Sequence, residues 1–226
     1  MRSSSDFPSP APRKWSQTIL ACFWFKLVGA TTFTLLFFTV YLYLLRHPGS
    51  AVHTISLTAV DRWIPFNSNG MPIYVSLWVY LFLPLILMFS RQEITTYGLR
   101  AAAPCLIGLA IFFWWPSAIP PVGIDWSLYP SVAFIKQVDT AGNACPSLHV
   151  ATAVFTACWL HWRLRLHRAP AWLTGSNWLW CAAIAWSTMA IRQHVVIDVV
   201  AGALLGLACA WLTGLKQHAL HAHRHG

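Results

Sequence analysis

Ser187-Thr188-Met189-Ala190-Ile191-Arg192-Gln193-His194-Val195-Val196-Ile197-Asp198 puts ionisable side chains between two apolar runs, residues 178–191 and 195–215. A second stretch, Cys145-Pro146-Ser147-Leu148-His149, opens a third apolar run at residues 148–164. Ionisable groups at the edges of runs this apolar are expensive to keep in or near lipid, so they mark function by default. Read this way, the two stretches are span ends of a helical membrane protein.

A span needs about 20 mainly apolar residues. Six runs qualify or nearly do: residues 19–45, 73–89, 101–115, 148–164, 178–191 and 195–215, the third and fifth being short. The expectation is an all-α integral membrane bundle of six helices. It divides the chain into an N-terminal tail at residues 1–18, a membrane domain at 19–215 and a His-rich tail at 216–226. Composition agrees: 57% of the 226 residues are hydrophobic and 9% are charged, against about 25% charged in soluble domains. The run after the Ser- and Pro-rich N-terminus is too long for a signal core, so an uncleaved first span is expected.

The net charge of +9 comes from cations scattered between apolar runs. A nucleic-acid reader would gather them on one face, so nucleic acid is excluded and membrane lipids are the expected partner. Six spans put both termini on one side. With the termini inside, that side holds Arg2, Arg13, Lys14, Arg91, Arg100, Arg163, Arg165, Arg168, Lys216 and Arg224, and the outer side holds Arg46, Arg62, Lys136 and Arg192. Lys26 falls within a span. The bias places the termini in the cytoplasm and both polar stretches on the outer face.

Five of the six cysteines lie in apolar runs, and none forms a C-x-x-C pair. They read as small buried residues, with no metal site and no cofactor implied. Two outer loops, residues 46–72 and 116–146, are rich in Pro and aromatic residues and read as lids at the interface. Asp61 and Arg62 read as a surface turn, and Arg163, Arg165 and Arg168 as topology anchors. The tail histidines, His218, His221, His223 and His225, read as solvated. Gly202 and Gly206 form G-x-x-x-G, a helix-packing signal.

The chemistry lies in the spacing. His194 and Asp198 are four apart, and on a continuing helix they share a face. A carboxylate one turn away holds an imidazole in one tautomer and frees its other nitrogen to attack phosphorus. Arg192 brings a fork of donors suited to phosphate oxygens, and Ser187 sits two turns before His194. On the other segment Pro146 suits the first turn of a helix. Ser147 and the free amides of that helix start suit an anion. His149 lies one turn further in, placed to give and take a proton. Lys136 is the remaining cation of its loop, available to neutralise phosphate.

Pro146-Ser147-Leu148-His149 and Ser187…His194-x-x-x-Asp198 resemble the second and third signature motifs of the type 2 phosphatidic acid phosphatase superfamily. The resemblance implies a six-helix fold with an outward-facing site. It implies metal-independent cleavage of a lipid phosphate through a phosphohistidine, with His194 as nucleophile, Asp198 as its orienter, His149 as general acid–base and Ser147 on the phosphate. Thr188 stands where the superfamily has arginine, and Arg192 follows four residues later. The first signature, a lysine followed by Arg-Pro, is absent before Pro146. Arg192-Gln193-His194, with Pro65-Phe66 before Tyr74, is similar to the branch of inositol phosphorylceramide and sphingomyelin synthases, which implies transfer to an alcohol as the alternative to hydrolysis. A transporter or a non-catalytic membrane protein is the reading from another class. Against a transporter, the ionisable groups cluster at one face rather than on broken helices at the midplane.

Overall fold

The structure is a computed structural model that describes residues 20–139 and 142–215. The two tails, with the cations and histidines expected there, lie outside the described residues. The described chain is mostly helical. Among the described residues four helical stretches are long and apolar enough to cross a membrane: residues 23–46, 68–86, 91–114 and 196–213.

Helix α1 spans Phe23–Arg46 and buries only Lys26 and Tyr41. The second apolar segment is two helices, α3 (Met71–Val75) and α4 (Leu77–Ile86), which meet at Ser76. The next helix, α5, runs Arg91–Trp114, beginning ten residues before the apolar run at 101. A cap explains the early start. Ser90 Oγ accepts the Glu93 N–H at 3.2 Å, and Glu93 Oε2 accepts the Phe89 N–H at 2.8 Å. Glu93 also pairs with Arg163 at 3.3 Å, and Arg163 donates to the Leu87 carbonyl. Arg163 is therefore a buried tie between helix ends rather than an interfacial anchor.

Helices α7 (Leu148–Leu166) and α8 (Ala171–Ala190) have 19 and 20 residues, long enough to span. They are less apolar than the other four because α7 is the centre of the bundle. Its Val150, Ala153, Val154 and Ala157 pack with Leu77 and Tyr80 on one side and Cys181 and Ile184 on another. Tyr80 donates to Asn177 Oδ1 at 2.6 Å, and Asn177 Nδ2 donates to the Ala157 carbonyl at 3.0 Å. A helix shielded by its neighbours can keep such groups. Helix α9 spans Val196–Ala210 and continues as a π-helical turn, Trp211–Leu215.

The two outer loops are tied together. Strand β1 (His53–Thr54) pairs in parallel with β2 (Ser117–Ala118), in the register His53 to Ser117 and Thr54 to Ala118. Short helices α2 (Ala59–Trp63) and α6 (Pro130–Val138) fold within these loops. The G-x-x-x-G of α9 meets the start of α7. A Cβ at Gly202 would overlap the Ser147 carbonyl oxygen, and one at Gly206 would overlap that of Ala151. The Ser147 N–H also donates to the Asp198 carbonyl at 3.0 Å. This close approach sets the two polar stretches against each other.

Candidate active site

Helix α8 ends at Ala190, and Arg192 adopts a left-handed backbone with φ 59°. The Gln193 and His194 N–H groups both donate to the Thr188 carbonyl, at 2.9 and 3.1 Å. The chain then enters α9, where Asp198 Oδ2 accepts the Val195 N–H at 3.1 Å. His194 and Asp198 are thus joined across a helix start, not along one helix. The result still brings His194 Nδ1 to 3.5 Å from Asp198 Oδ2. Asp198 is fully buried and His194 nearly so. Water screens little between partners this buried, so the Asp198 carboxyl acts on the imidazole at close range.

His149 lies opposite. Its ring stacks on Tyr74 with centroids 4.5 Å apart and stands 5.9 Å from the ring of His194. Pro146 is not in the first helical turn. It follows a cis Cys145–Pro146 peptide, and Ser147 is the N-cap, its Oγ accepting the Val150 N–H at 3.3 Å. Ser147 is fully buried beneath the histidine pair's segment contact.

The remaining expected residues are placed differently. The Ser187 hydroxyl donates back to the Ile184 carbonyl at 2.7 Å, and Ser187 lines neither of the two cavities at His194. The left-handed turn takes Arg192 off the helical face of Thr188. Its guanidinium donates to the carbonyls of Asp61 and Ile64, at 3.3 and 2.8 Å. Lys136 donates to the Arg192 carbonyl at 2.6 Å and lies 4.8 Å from the Trp126 ring centroid. Burial lowers the Lys136 ammonium to about 8, against the opposing pull of Asp139.

Sequence reasoning missed three contributors. Asp61 is buried rather than exposed in a turn. Its carboxylate accepts from the Thr58 N–H and hydroxyl and from the Val196 N–H at 2.8 Å, so it clamps the loop to the start of α9. Burial pushes its pKa up, but these hydrogen bonds and Arg192 prevail and hold it below the usual carboxylate range. Asp139 lines the same cavity as the two histidines, with Oδ1 accepting from Tyr41 Oη at 2.8 Å. Burial raises its pKa, opposed by the Tyr41 hydrogen bond and by His194 and Lys136. Tyr74 supports His149. The one available signal was rarity: only six acidic residues occur in the chain.

Two cavities meet at His194. The larger, about 340 Å³, runs from Asp139, Asn143, His149 and His194 down between α1, α4, α5 and α7 to Phe25, Lys26 and Ile94. Apart from its two ends its wall is almost wholly apolar. The smaller, about 180 Å³, lies on the other side, walled by Leu57, Asp61, Arg62, Ile119, Pro120, Val122, Arg192 and Val195 together with His194. Among the described residues no three His, Cys, Asp or Glu side chains are grouped to hold a metal.

Comparison with known proteins adds to the geometry. Residues 113–221 match the PAP2 superfamily. The chain is 25% identical to inositol phosphorylceramide synthase of Candida albicans (strain SC5314 / ATCC MYA-2876), over 74% of this chain and 38% of that protein. The chain therefore matches well under half of that relative's length. No solved structure matches.

Proposed function

We propose, for a chain whose residues 113–221 carry a PAP2 superfamily domain, that it is a six-span membrane lipid phosphatase working through a phosphohistidine at the outer face. The observation that carries the reading is the convergence of two histidines at the head of an apolar cavity, one of them backed by a buried carboxylate.

With the proton on Nδ1, facing Asp198, His194 keeps its Nε2 lone pair for phosphorus. Attack forms the N–P bond and breaks the bond to the lipid oxygen, which takes a proton from His149. Water then gives a proton to His149 and its oxygen to phosphorus. The N–P bond breaks, returning the electron pair to His194 and releasing phosphate. Asp198 stabilises the imidazolium character that develops in both halves. The α7 start offers donors to the phosphate oxygens; the Ser147 N–H is taken by the Asp198 carbonyl, so Ser147 would contribute through its hydroxyl alone. Of the five N–H donors of Arg192, those not engaged by the Asp61 and Ile64 carbonyls are available for the same oxygens.

The likeness to inositol phosphorylceramide synthase supports a second reading, in which a lipid alcohol replaces water and receives the phosphoryl headgroup. The experiment is release of phosphate from a panel of lipid phosphates by purified protein, with and without alcohol acceptors. Inhibition by vanadate and indifference to chelator are the expected results. Inactivation by chelator with rescue by a divalent ion would overturn the metal-independent mechanism.

A further inference from the structure

We infer that the smaller cavity beside His194 binds the water-soluble, phosphate-bearing group of the reaction, on the side of the histidine opposite the lipid chain. The inference rests on the proposed lipid phosphate chemistry and adds to it Arg62 and the chamber that Arg62 shares with Arg192 and His194.

Three observations carry it. First, His194 is the residue shared by both walls. A group bound at His194 therefore has an apolar cavity on one side and a second chamber on another. Second, the chemistry of the chambers differs. The larger has an almost wholly apolar wall, and the smaller is lined by two arginines, Arg62 and Arg192. Asp61 is also in its wall, but its carboxylate is already engaged by the Thr58 N–H and hydroxyl and by the Val196 N–H. The free donors of the arginines thus face an anion without a competing open carboxylate. Third, the chamber opens away from the bundle, since Leu57 is 42% exposed and Arg62 is exposed.

The shared ligand chemistry is a phosphate with its hydrophilic surroundings. It has two sources: orthophosphate released by hydrolysis, or the headgroup phosphate of a lipid phosphodiester. At about 180 Å³ the chamber admits a group of small-molecule size but not a second lipid chain.

The test uses the full chain in lipid nanodiscs with two substitutions, Arg62→Ala and Val122→Trp. Three quantities are read: the inhibition constant of orthophosphate, kcat/KM for a lipid phosphomonoester, and kcat/KM for a phosphodiester with a polyol headgroup. If the ligand is orthophosphate, its inhibition constant rises about tenfold, as for loss of one charge-assisted hydrogen bond. The phosphodiester parameter then stays near wild type. If the ligand is the headgroup, kcat/KM for the phosphodiester falls about tenfold through KM while the phosphomonoester is spared. All three quantities within about twofold of wild type in both variants would overturn the inference. Arg62 is exposed, so Arg62→Ala keeps the test decisive if Val122→Trp fails to fold. Calorimetric binding of orthophosphate to His194→Ala separates this inference from the mechanism. Retained turnover in that variant would refute the phosphohistidine, whereas binding lost on adding Arg62→Ala would still establish the subsite.

Discussion

Helices α1 and α9 are both apolar and of membrane-spanning character, yet they are held in opposite ways. α9 presses Gly202 and Gly206 onto the carbonyls of α7, and its first turn shares hydrogen bonds with Ser147, Asp61 and Val195. α1 buries two residues along 24, and an added Cβ at Gly29 would meet open space. On the proposed function one helix is locked because it would carry the chemistry, where a displacement of about 1 Å costs orders of magnitude in rate. The other forms a wall of the apolar cavity, where the proposed lipid substrate would need room for a chain of variable shape. The same kind of sequence, an apolar run of about 20 residues, thus serves as frame in one place and as wall in another.

Substitutions can break this contrast. The largest effect is expected at Asp198→Asn, which keeps shape but removes the charge that orients His194. Turnover should fall roughly a hundredfold or more with the thermal midpoint little changed, by analogy with other carboxylate-oriented histidines. Normal kinetics in that variant would show that the 3.5 Å contact between His194 and Asp198 plays no part.

Next is a paired glycine experiment. Gly202→Leu must push α9 off α7, so stability should drop by about 1–3 kcal/mol and turnover should fall with it. Gly29→Ala should change stability by less than about 0.5 kcal/mol. Gly29→Trp, which projects into the large cavity, should raise KM for long-chain substrates while the protein stays folded. Equal loss of stability from Gly202→Leu and Gly29→Ala would erase the distinction between frame and wall.

Smaller still is Tyr41→Phe, which deletes the hydrogen bond from α1 to Asp139 and should cost about 1 kcal/mol. Chemical denaturation in detergent would measure it. The mildest effect concerns pH. Burial disfavours the charge of Lys136 and lowers its pKa in the folded protein to about 8, from an ordinary value of 10.5. Between those values the unfolded chain binds more protons, so stability should rise with pH from about 8 toward 10.5. Lys136→Met should flatten that rise, and an unchanged slope would place the ammonium in water instead.

Much of this was legible in the sequence where one rule governs one segment. Apolar runs marked the helices, and Pro146-Ser147-x-His149 with His194-x-x-x-Asp198 marked the two segments that the fold brings together. The G-x-x-x-G marked a close helix contact, although its partner, the start of α7, was not readable. Hydropathy starts the third helix at residue 101 because it is blind to caps, and the Ser90–Glu93 pair carries α5 back to Arg91. A repeat of four between His194 and Asp198 reads as a helix face. The left-handed Arg192 shows that a helix start delivers the same proximity by other means. Tyr41 and Asp139 stand 98 residues apart, so no local pattern could join them. Arg192 kept its place beside His194 but is tied by loop carbonyls that sequence spacing does not reveal.

The most direct test is chemical. Purified protein turning over a radiolabelled lipid phosphate is quenched in alkali and digested, and the labelled peptide is sequenced. The account predicts an alkali-stable, acid-labile phosphate on His194, lost in His194→Ala together with turnover. Robust turnover with no label on His194, or with an acid-stable label on another residue, would contradict it.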